Sequence, residues 1–483
     1  MKNSRRDFLK KTGIASASLV GTSMAACTDQ TGQKDNSEPF PQVYKQKFNM
    51  SGYAAPKLDV VRIGVVGLGN RGTGTVRRLA GIEGVEIRAL CDLEPDRVQR
   101  SADNIKHLGH KPDFYSGQED EWKKMVERND LDLIAIVTPW HLHTPMCVYA
   151  MENDKHAYTE LPAALTMDEC WQLVETSERT RKHCVQMSAS CSGGMSAVIL
   201  NMAREGFFGE LVHGEGCYIH TLLEFYMFDK DMYHNMWRLK ANIGRTGNLY
   251  PNHGLVPIMQ MMDINYGDRL DYCCSISSDD FLMNETAKRL AEEDSYWEEY
   301  VDKPFRGNMN VTTFKTVKGR TIVLNHDVTS PRPRGRRLLS GTKAVYISHP
   351  DRISTSERHT GWGHYDWLPD EELNALVEKY TPQMNRRFEE LVKQAEEMDR
   401  SGHSYYRTSP VDWKLIDSLR NGLPMDTDVY QAAASSAATP LSIWSAKNRA
   451  FANVPDFTDG AWKTNQRTLD IQLERGGGST KLT

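Results

Sequence analysis

Tyr250-Pro251-Asn252-His253 sets a phenol and an imidazole three residues apart, just ahead of an apolar stretch. An imidazole trades protons near neutral pH, and a phenol beside it offers a second acid or base. Arg238, in Trp237-Arg238-Leu239, is a permanent cation able to anchor a carbonyl or a row of hydroxyls. Glu160 closes a short strand-like run and adds a carboxylate. A histidine capping its own helix and a carboxylate at a helix N-terminus are the plain structural readings of His253 and Glu160. The chemical reading makes Tyr250, His253 and Glu160 a proton-transfer set beside a bound ligand.

A glycine-rich loop indicates what that ligand is. Gly67-Leu68-Gly69-Asn70-Arg71-Gly72 follows the apolar run Val61-Arg62-Ile63-Gly64-Val65-Val66. Gly67 permits a tight turn, Gly69 lets the backbone approach a pyrophosphate, and the helix that follows holds the anion at its N-terminus. Asp92 ends a second apolar run about twenty residues on, as a dinucleotide fingerprint requires. A carboxylate there binds ribose hydroxyls and repels a 2′-phosphate, which favours NAD over NADP. Thr138-Pro139-Trp140-His141-Leu142-His143 follows a third strand, at the carboxyl end where such sheets hold ligands. Its two histidines alternate and no third ligand stands near, so contact with cofactor is expected and a metal is not.

The elements that must position these residues fall into two sets. Strands at 60–66, 85–91, 131–138 and 156–158 alternate with helices at 73–79, 96–108, 119–128, 145–153 and 167–180. That alternation predicts a doubly wound parallel sheet, an NAD-binding Rossmann domain over 59–187. Residues 188–483 read as an α+β substrate domain. Strands at 212–221, 271–277, 310–316, 321–328 and 343–348 imply a large, mostly antiparallel sheet, with a hairpin turn at Val317-Lys318-Gly319-Arg320. A helix at 253–266 crosses it. The charged stretch 371–400 reads as a solvated helical pair, and helices at 411–421 and 429–448 are expected to pack back on the body.

Ser4-Arg5-Arg6-Asp7-Phe8-Leu9-Lys10 precedes a short small-residue apolar stretch and reads as a twin-arginine leader over 1–27, followed by a polar linker over 28–58. That route exports folded proteins, so a periplasmic enzyme is expected that leaves the cytoplasm with its nicotinamide aboard and restores the oxidation state within each turnover. Met24-Ala25-Ala26-Cys27 leaves open a lipid anchor at Cys27, which would tether the enzyme to a membrane. A homo-oligomer is also left open. The other cysteines lack metal-ligand spacing and read as buried free thiols. A net charge of −5 gives no basic footprint for nucleic acid, and no apolar run is long enough for a membrane span.

Thr159-Glu160-Leu161-Pro162 resembles the Glu-Lys-Pro segment of the Gfo/Idh/MocA oxidoreductases, with Leu161 where their lysine stands. Taken with Tyr218-Ile219-His220, Trp237-Arg238, Asn248 to Gly254, Gly341-Thr342-Lys343 and Pro455-Asp456-Phe457-Thr458, the chain resembles glycoside hydrolase family 109 over nearly its whole length. Members of that branch include NAD-dependent α-N-acetylgalactosaminidases. The resemblance implies that Asn70, Arg71, Asp92, Trp140, His141, Leu142, His143, Glu160 and Leu161 line NAD. It implies that Tyr218, Arg238, Tyr250, Pro251, Asn252 and His253 line a carbohydrate substrate. Three departures stand out. Pro331-Arg332-Pro333-Arg334 puts Arg334 where the family has a substrate-facing tyrosine, His220 is followed by Thr221 instead of aspartate, and Ser188-Ala189-Ser190-Cys191 lacks an asparagine expected near the cofactor.

The reaction expected is hydrolysis of a glycoside, of N-acetylgalactosamine type or related, without net redox. The sugar is oxidised transiently at C3, C2 loses a proton, the C1 group is eliminated, water adds, and C3 is reduced again. This departs from the usual pair of carboxylates. Two alternatives remain open from sequence: a sugar oxidoreductase with tightly bound nicotinamide, and a non-catalytic glycan-binding protein that retains NAD.

Overall fold

Two sheets carry the fold in the computed structural model, which describes residues 39–187, 191–398, 408–467 and 470–483. The twin-arginine leader, Cys27 and Ser188-Ala189-Ser190 lie outside the described residues. The first sheet grows from Val61–Val66 (β1), whose residues are all buried except Arg62. The chain continues through Gly72–Ala80 (α1), Val85–Asp92 (β2), Pro95–Asp103 (α2), Asp113–Ser116 (β3), Glu121–Val126 (α3), Leu133–Ile136 (β4), His143–Glu152 (α4), His156–Thr159 (β5), Met167–Thr180 (α5) and Cys184–Gln186 (β6). The strands are parallel, in the order β3-β2-β1-β4-β5-β6. The order reverses between β1 and β4, and a ligand crevice opens at such a switch point.

β3 and β6 are absent from the sequence reading. β3 is a half-exposed edge strand and β6 is three residues long, so neither shows a clear apolar period. The helix expected over 96–108 ends at Asp103, because Ile105 leaves helical geometry (φ −113°, ψ 0°) and is fully buried. A separate 3-10 turn follows at Lys106–Leu108.

The second sheet begins after Gly194–Arg204 (α6). It is built from Leu211–Ile219 (β7), then, beyond Trp237–Ala241 (α7) and Asn252–Met261 (α8), Leu270–Ser277 (β8). Met283–Glu293 (α9) precedes Asn310–Thr316 (β9), Thr321–Asp327 (β10), Leu338–Gly341 (β11), Ala344–Ile347 (β12), Arg352–His359 (β13) and Tyr365–Trp367 (β14). Asp370–Tyr380 (α10), Gln383–Met398 (α11), Pro410–Asn421 (α12), Val429–Asn448 (α13) and Ala452–Asn453 (β15) complete the chain. The nine strands run β14-β13-β12-β11-β7-β10-β9-β8-β15, antiparallel throughout except for β7 against β10. β9 and β10 form the expected hairpin, with Gly319 at φ +87° in its turn.

Glycine brings α8 onto this sheet. A Cβ on Gly216 of β7 would stand 2.1 Å from the carbonyl oxygen of Gly254, so only hydrogen at Gly216 lets the helix backbone meet the strand. That contact sets His253 beside Tyr218, two positions along the strand.

The pair at 371–400 is not simply solvated. Met384, Phe388, Leu391 and Ala395 form a buried stripe on α11 that joins the core of the first sheet. Phe388 meets Trp413 of α12 at 5.5 Å between ring centres. α12 packs back as expected: its buried Asp412 pairs with Arg78 of α1 at 2.7 Å and accepts the Tyr158 hydroxyl at 2.6 Å. The last part of the expected linker is also held, since buried Glu178 accepts from the Tyr44 hydroxyl at 2.6 Å and the Lys47 amide at 2.7 Å. Cysteines of the described residues are free thiols, most of them buried.

Candidate functional site

A cavity of about 1070 Å3 runs from the glycine loop to the carboxyl end of β7. At its first end, Gly67 turns at φ +86°, and a Cβ there would lie 2.6 Å from the Val137 carbonyl oxygen. A Cβ on Gly72 would lie 1.8 Å from the oxygen of Gly67, so α1 starts hard against the turn. Gly69 differs: the nearest neighbour of its would-be Cβ is Arg97 Nη1 at 3.8 Å, which leaves this backbone open to a ligand. Asp92 lines the same end. Its Oδ2 accepts the Leu68 amide at 2.6 Å and its Oδ1 the Glu94 amide at 3.0 Å, with Arg97 Nη1 at 3.7 Å. An open backbone at a helix start, Arg71 beside it and a fixed carboxylate suit a pyrophosphate and a ribose diol. Asn70 crosses the cavity, its side-chain amide donating to the Met232 carbonyl at 2.8 Å.

Four aromatic rings and a guanidinium form the middle. Trp140, leaving β4, stacks on Tyr250 at 5.5 Å and meets Trp237 edge-on at 5.1 Å. Arg238 lies over Trp140 at 5.2 Å and Tyr250 at 5.3 Å, and donates to the Tyr233 hydroxyl at 3.2 Å. Glu160 leaves β5 into the cavity, its Oε2 accepting the Leu161 amide at 3.1 Å. Leu161 is buried and also lines the wall. His143 is buried against it, with Nδ1 2.7 Å from the Pro162 carbonyl and Nε2 2.8 Å from that of Thr138. Burial lowers its pKa, while both carbonyl contacts raise it.

At the far end Tyr218 meets Tyr250 edge-on at 4.7 Å and stacks on His253 at 5.2 Å. Burial, reinforced by Glu160, raises the Tyr250 phenol well above its usual 10, so it is a neutral proton carrier. Burial, with Arg71, Arg238 and Arg334 around it, pushes His253 down to about 4, so this imidazole is neutral at pH 7. Arg334 is exposed at this end and lines the cavity.

Not every residue expected at the site lines it. His141 is exposed and Leu142 half-buried on a short turn, and neither reaches the cavity wall. Pro251 and Asn252 are buried behind it. The Asn252 amide donates to Ser435 Oγ at 2.9 Å and fixes α8 to α13. His253 touches the site through Tyr218 and Tyr250 without lining the wall. The helix turn explains this split: with Tyr250 pointing inward, the next three residues sweep round toward the sheet and α13. Conversely, His220, Tyr226 and Tyr233 line the cavity unanticipated. His220 was legible from the period of two that places it on the face of Tyr218. Tyr226 stands in a single π-helical turn, Leu223–Met227, and Tyr233 in the irregular stretch after it, and neither carries such a signal. No cluster of three metal-binding side chains occurs among the described residues.

A family model described as "Oxidoreductase family, NAD-binding Rossmann fold" matches residues 61–188, and one described as "Glycosyl hydrolase 109, C-terminal domain" matches residues 195–464. A "Glycosyl hydrolase family 109 protein" of Shewanella pealeana is 38% identical over 471 residues, 96% of this chain and 98% of that protein. One of Shewanella baltica is 40% identical over 463 residues, 95% of this chain and 97% of that protein. Among solved structures, levoglucosan dehydrogenase in complex with NADH superposes with a TM-score of 0.58 at 13% identity, covering 82% of this chain and 99% of that one. An oxidoreductase domain protein from Kribbella flavida gives 0.56 at 12% identity, covering 83% and 100%. These two likenesses concern the fold. With one family model over more than half of the chain and such relatives along nearly all of it, the chain belongs to glycosyl hydrolase family 109, built on the NAD-binding Gfo/Idh/MocA oxidoreductase fold.

Proposed function

We propose that this protein is an NAD-dependent glycosidase that cleaves an N-acetylgalactosamine-type or related glycoside without net redox change. The observation that carries the reading is a shared space: the glycine loop and Asp92 open onto the same cavity as Glu160, Tyr250 and Arg238. Gly67, Gly69 and Asn70-Arg71 would hold the pyrophosphate, and Asp92 the ribose diol, which favours NAD over NADP. When bound, the nicotinamide supplies a reversible two-electron oxidation at the sugar's C3, which acidifies the proton on C2.

The chain's own groups supply the rest. Arg238, held in place by Trp140, Tyr250 and Tyr233, orients the sugar's oxygens. Glu160 lines the cavity and takes the C2 proton. Tyr250, a phenol that keeps its proton at neutral pH, gives it to the departing C1 oxygen. Addition of water reverses the two transfers. His253, neutral and in ring contact with Tyr250, accepts through that phenol the proton released from the C3 hydroxyl and returns it when C3 is reduced. Leu161 leaves no lysine at the Glu160 turn to serve an ordinary alcohol oxidation. We place the enzyme in the periplasm, exported by the twin-arginine route with its cofactor aboard.

Protein purified with its own cofactor should release aglycone from an aryl N-acetylgalactosaminide without added NAD, and denaturation should free NAD and not NADP. Stoichiometric NADH build-up on mixing with a sugar, with no cleavage, would make it an oxidoreductase. Sugar binding with neither change would make it a glycan-binding protein.

A further inference from the structure

Beyond Tyr218 the cavity wall carries one arginine, Arg334, from a basic loop. Residues 331–337 read Pro-Arg-Pro-Arg-Gly-Arg-Arg, with no acidic residue between Asp327 and Asp351. Asp327 is buried and already accepts the amides of Thr329 and Ser330, at 2.8 and 3.1 Å. Arg337 is engaged by Ser196. Gly335 anchors the segment on β7, because a Cβ there would lie 2.5 Å from Cys217 Sγ. Pro331 and Pro333 restrict the backbone on either side of Arg332. Arg334 is thus offered to the cavity by a stiff, fixed loop. Among the described residues it forms no ion pair with a carboxylate.

Its field is felt within the site. After burial, Arg334 is the largest influence lowering the pKa of His220, and it is one of the arginines that lower that of His253. The other arginines of this cavity stand elsewhere: Arg71 and Arg77 in and after the glycine loop, Arg97 and Arg100 on α2, and Arg238 among the rings. The lining carboxylates lie elsewhere: Asp92 at the glycine-loop end, Glu160 at the end of β5, and Asp231 on the loop beside Met232. A guanidinium in a concave site with no counter-charge focuses positive potential and presents a fork matched to an oxyanion.

We propose that the glycan taken by this site carries an anionic group, a carboxylate or a sulfate ester, which Arg334 binds at the mouth of the cavity. The inference rests on the proposal that the site receives a sugar, and it narrows the class to acidic glycans. It is tested by binding, independently of turnover. Holoenzyme is titrated calorimetrically with methyl α-galactoside, its uronic acid counterpart and its 6-sulfate, at low and high salt. At least one anionic ligand should bind at least about tenfold more tightly than the neutral one, and the advantage should shrink with salt. R334Q, at an exposed position, should fold with wild-type Tm and lose the preference. R336Q, on the same loop but off the cavity wall, should keep it. The ligand pair that shows the effect distinguishes carboxylate from sulfate.

Neutral and anionic ligands binding equally, none binding at all, or R334Q and R336Q behaving alike would overturn the inference. Cleavage of neutral aryl glycosides with no anion preference would do so while leaving the glycosidase standing. Anion binding that depends on Arg334, with no glycoside cleaved, would sustain it and remove the glycosidase.

Discussion

Tyr250 is the residue on which the chemistry turns. Its ring is held by Trp140, Tyr218 and Arg238, so it does not depend on its hydroxyl for position. Y250F should therefore fold normally and lower kcat by roughly 10²- to 10⁴-fold with little change in KM, the size expected for loss of one positioned acid. An unchanged kcat in the aglycone-release assay would remove Tyr250 from the mechanism. His253 makes a second prediction through its proton. Burial and the surrounding arginines push it down to about 4 from the ordinary 6.5. Burial pushes His183 down to about 4 as well. As pH falls through this window the unfolded chain binds protons that the fold refuses, so stability is full above about 6.5 and is lost toward 4. Thermal melts should show Tm falling across that range, and H253N should flatten part of the slope. A level profile in the wild type would contradict the buried, neutral state of these rings.

At the scale of elements, much was legible where one physical signal dominates. The glycine turn, Asp92 at the end of β2 and the β9–β10 hairpin follow from backbone sterics and alternation, and the structure has them where the residues require. Other features depended on what lies across the fold. β3 and β6 pair only because neighbours supply the edges, and the buried stripe of α11 was masked by the charges between its apolar residues. Within the site, Glu160, Tyr218, Arg238 and Tyr250 converge as expected. Pro251, Asn252 and His253 face elsewhere because α8 begins there and turns them toward the sheet. The junction that sets this rotation is the contact of Gly216 with Gly254. G216A should force the two backbones apart and destabilise by about 3 kcal/mol or more, near the upper range for overpacking. Denaturant unfolding measures this, and a loss below ~1 kcal/mol would show that the contact relaxes easily.

For the molecule as a whole, residues Phe40–Thr483 form one compact unit in which the C-terminal helices brace the first sheet. Trp413 is the centre of that brace, fully buried against Phe388 with its indole N–H donated to the Thr480 carbonyl at 2.9 Å. W413A should lower stability by about 3–5 kcal/mol. Because Trp413 does not line the cavity, the surviving folded fraction should keep its activity, and a loss of kcat per folded molecule would show that the brace also shapes the site. The central claim is that electrons leave the sugar and return to it within one turnover, with C2 exposed as an acid in between. The direct measurement is hydrolysis in D2O by protein carrying only its own cofactor, with the released sugar read by NMR and mass spectrometry. The account predicts deuterium at C2 of the product and no net NADH. Full cleavage with protium retained at C2 would contradict it.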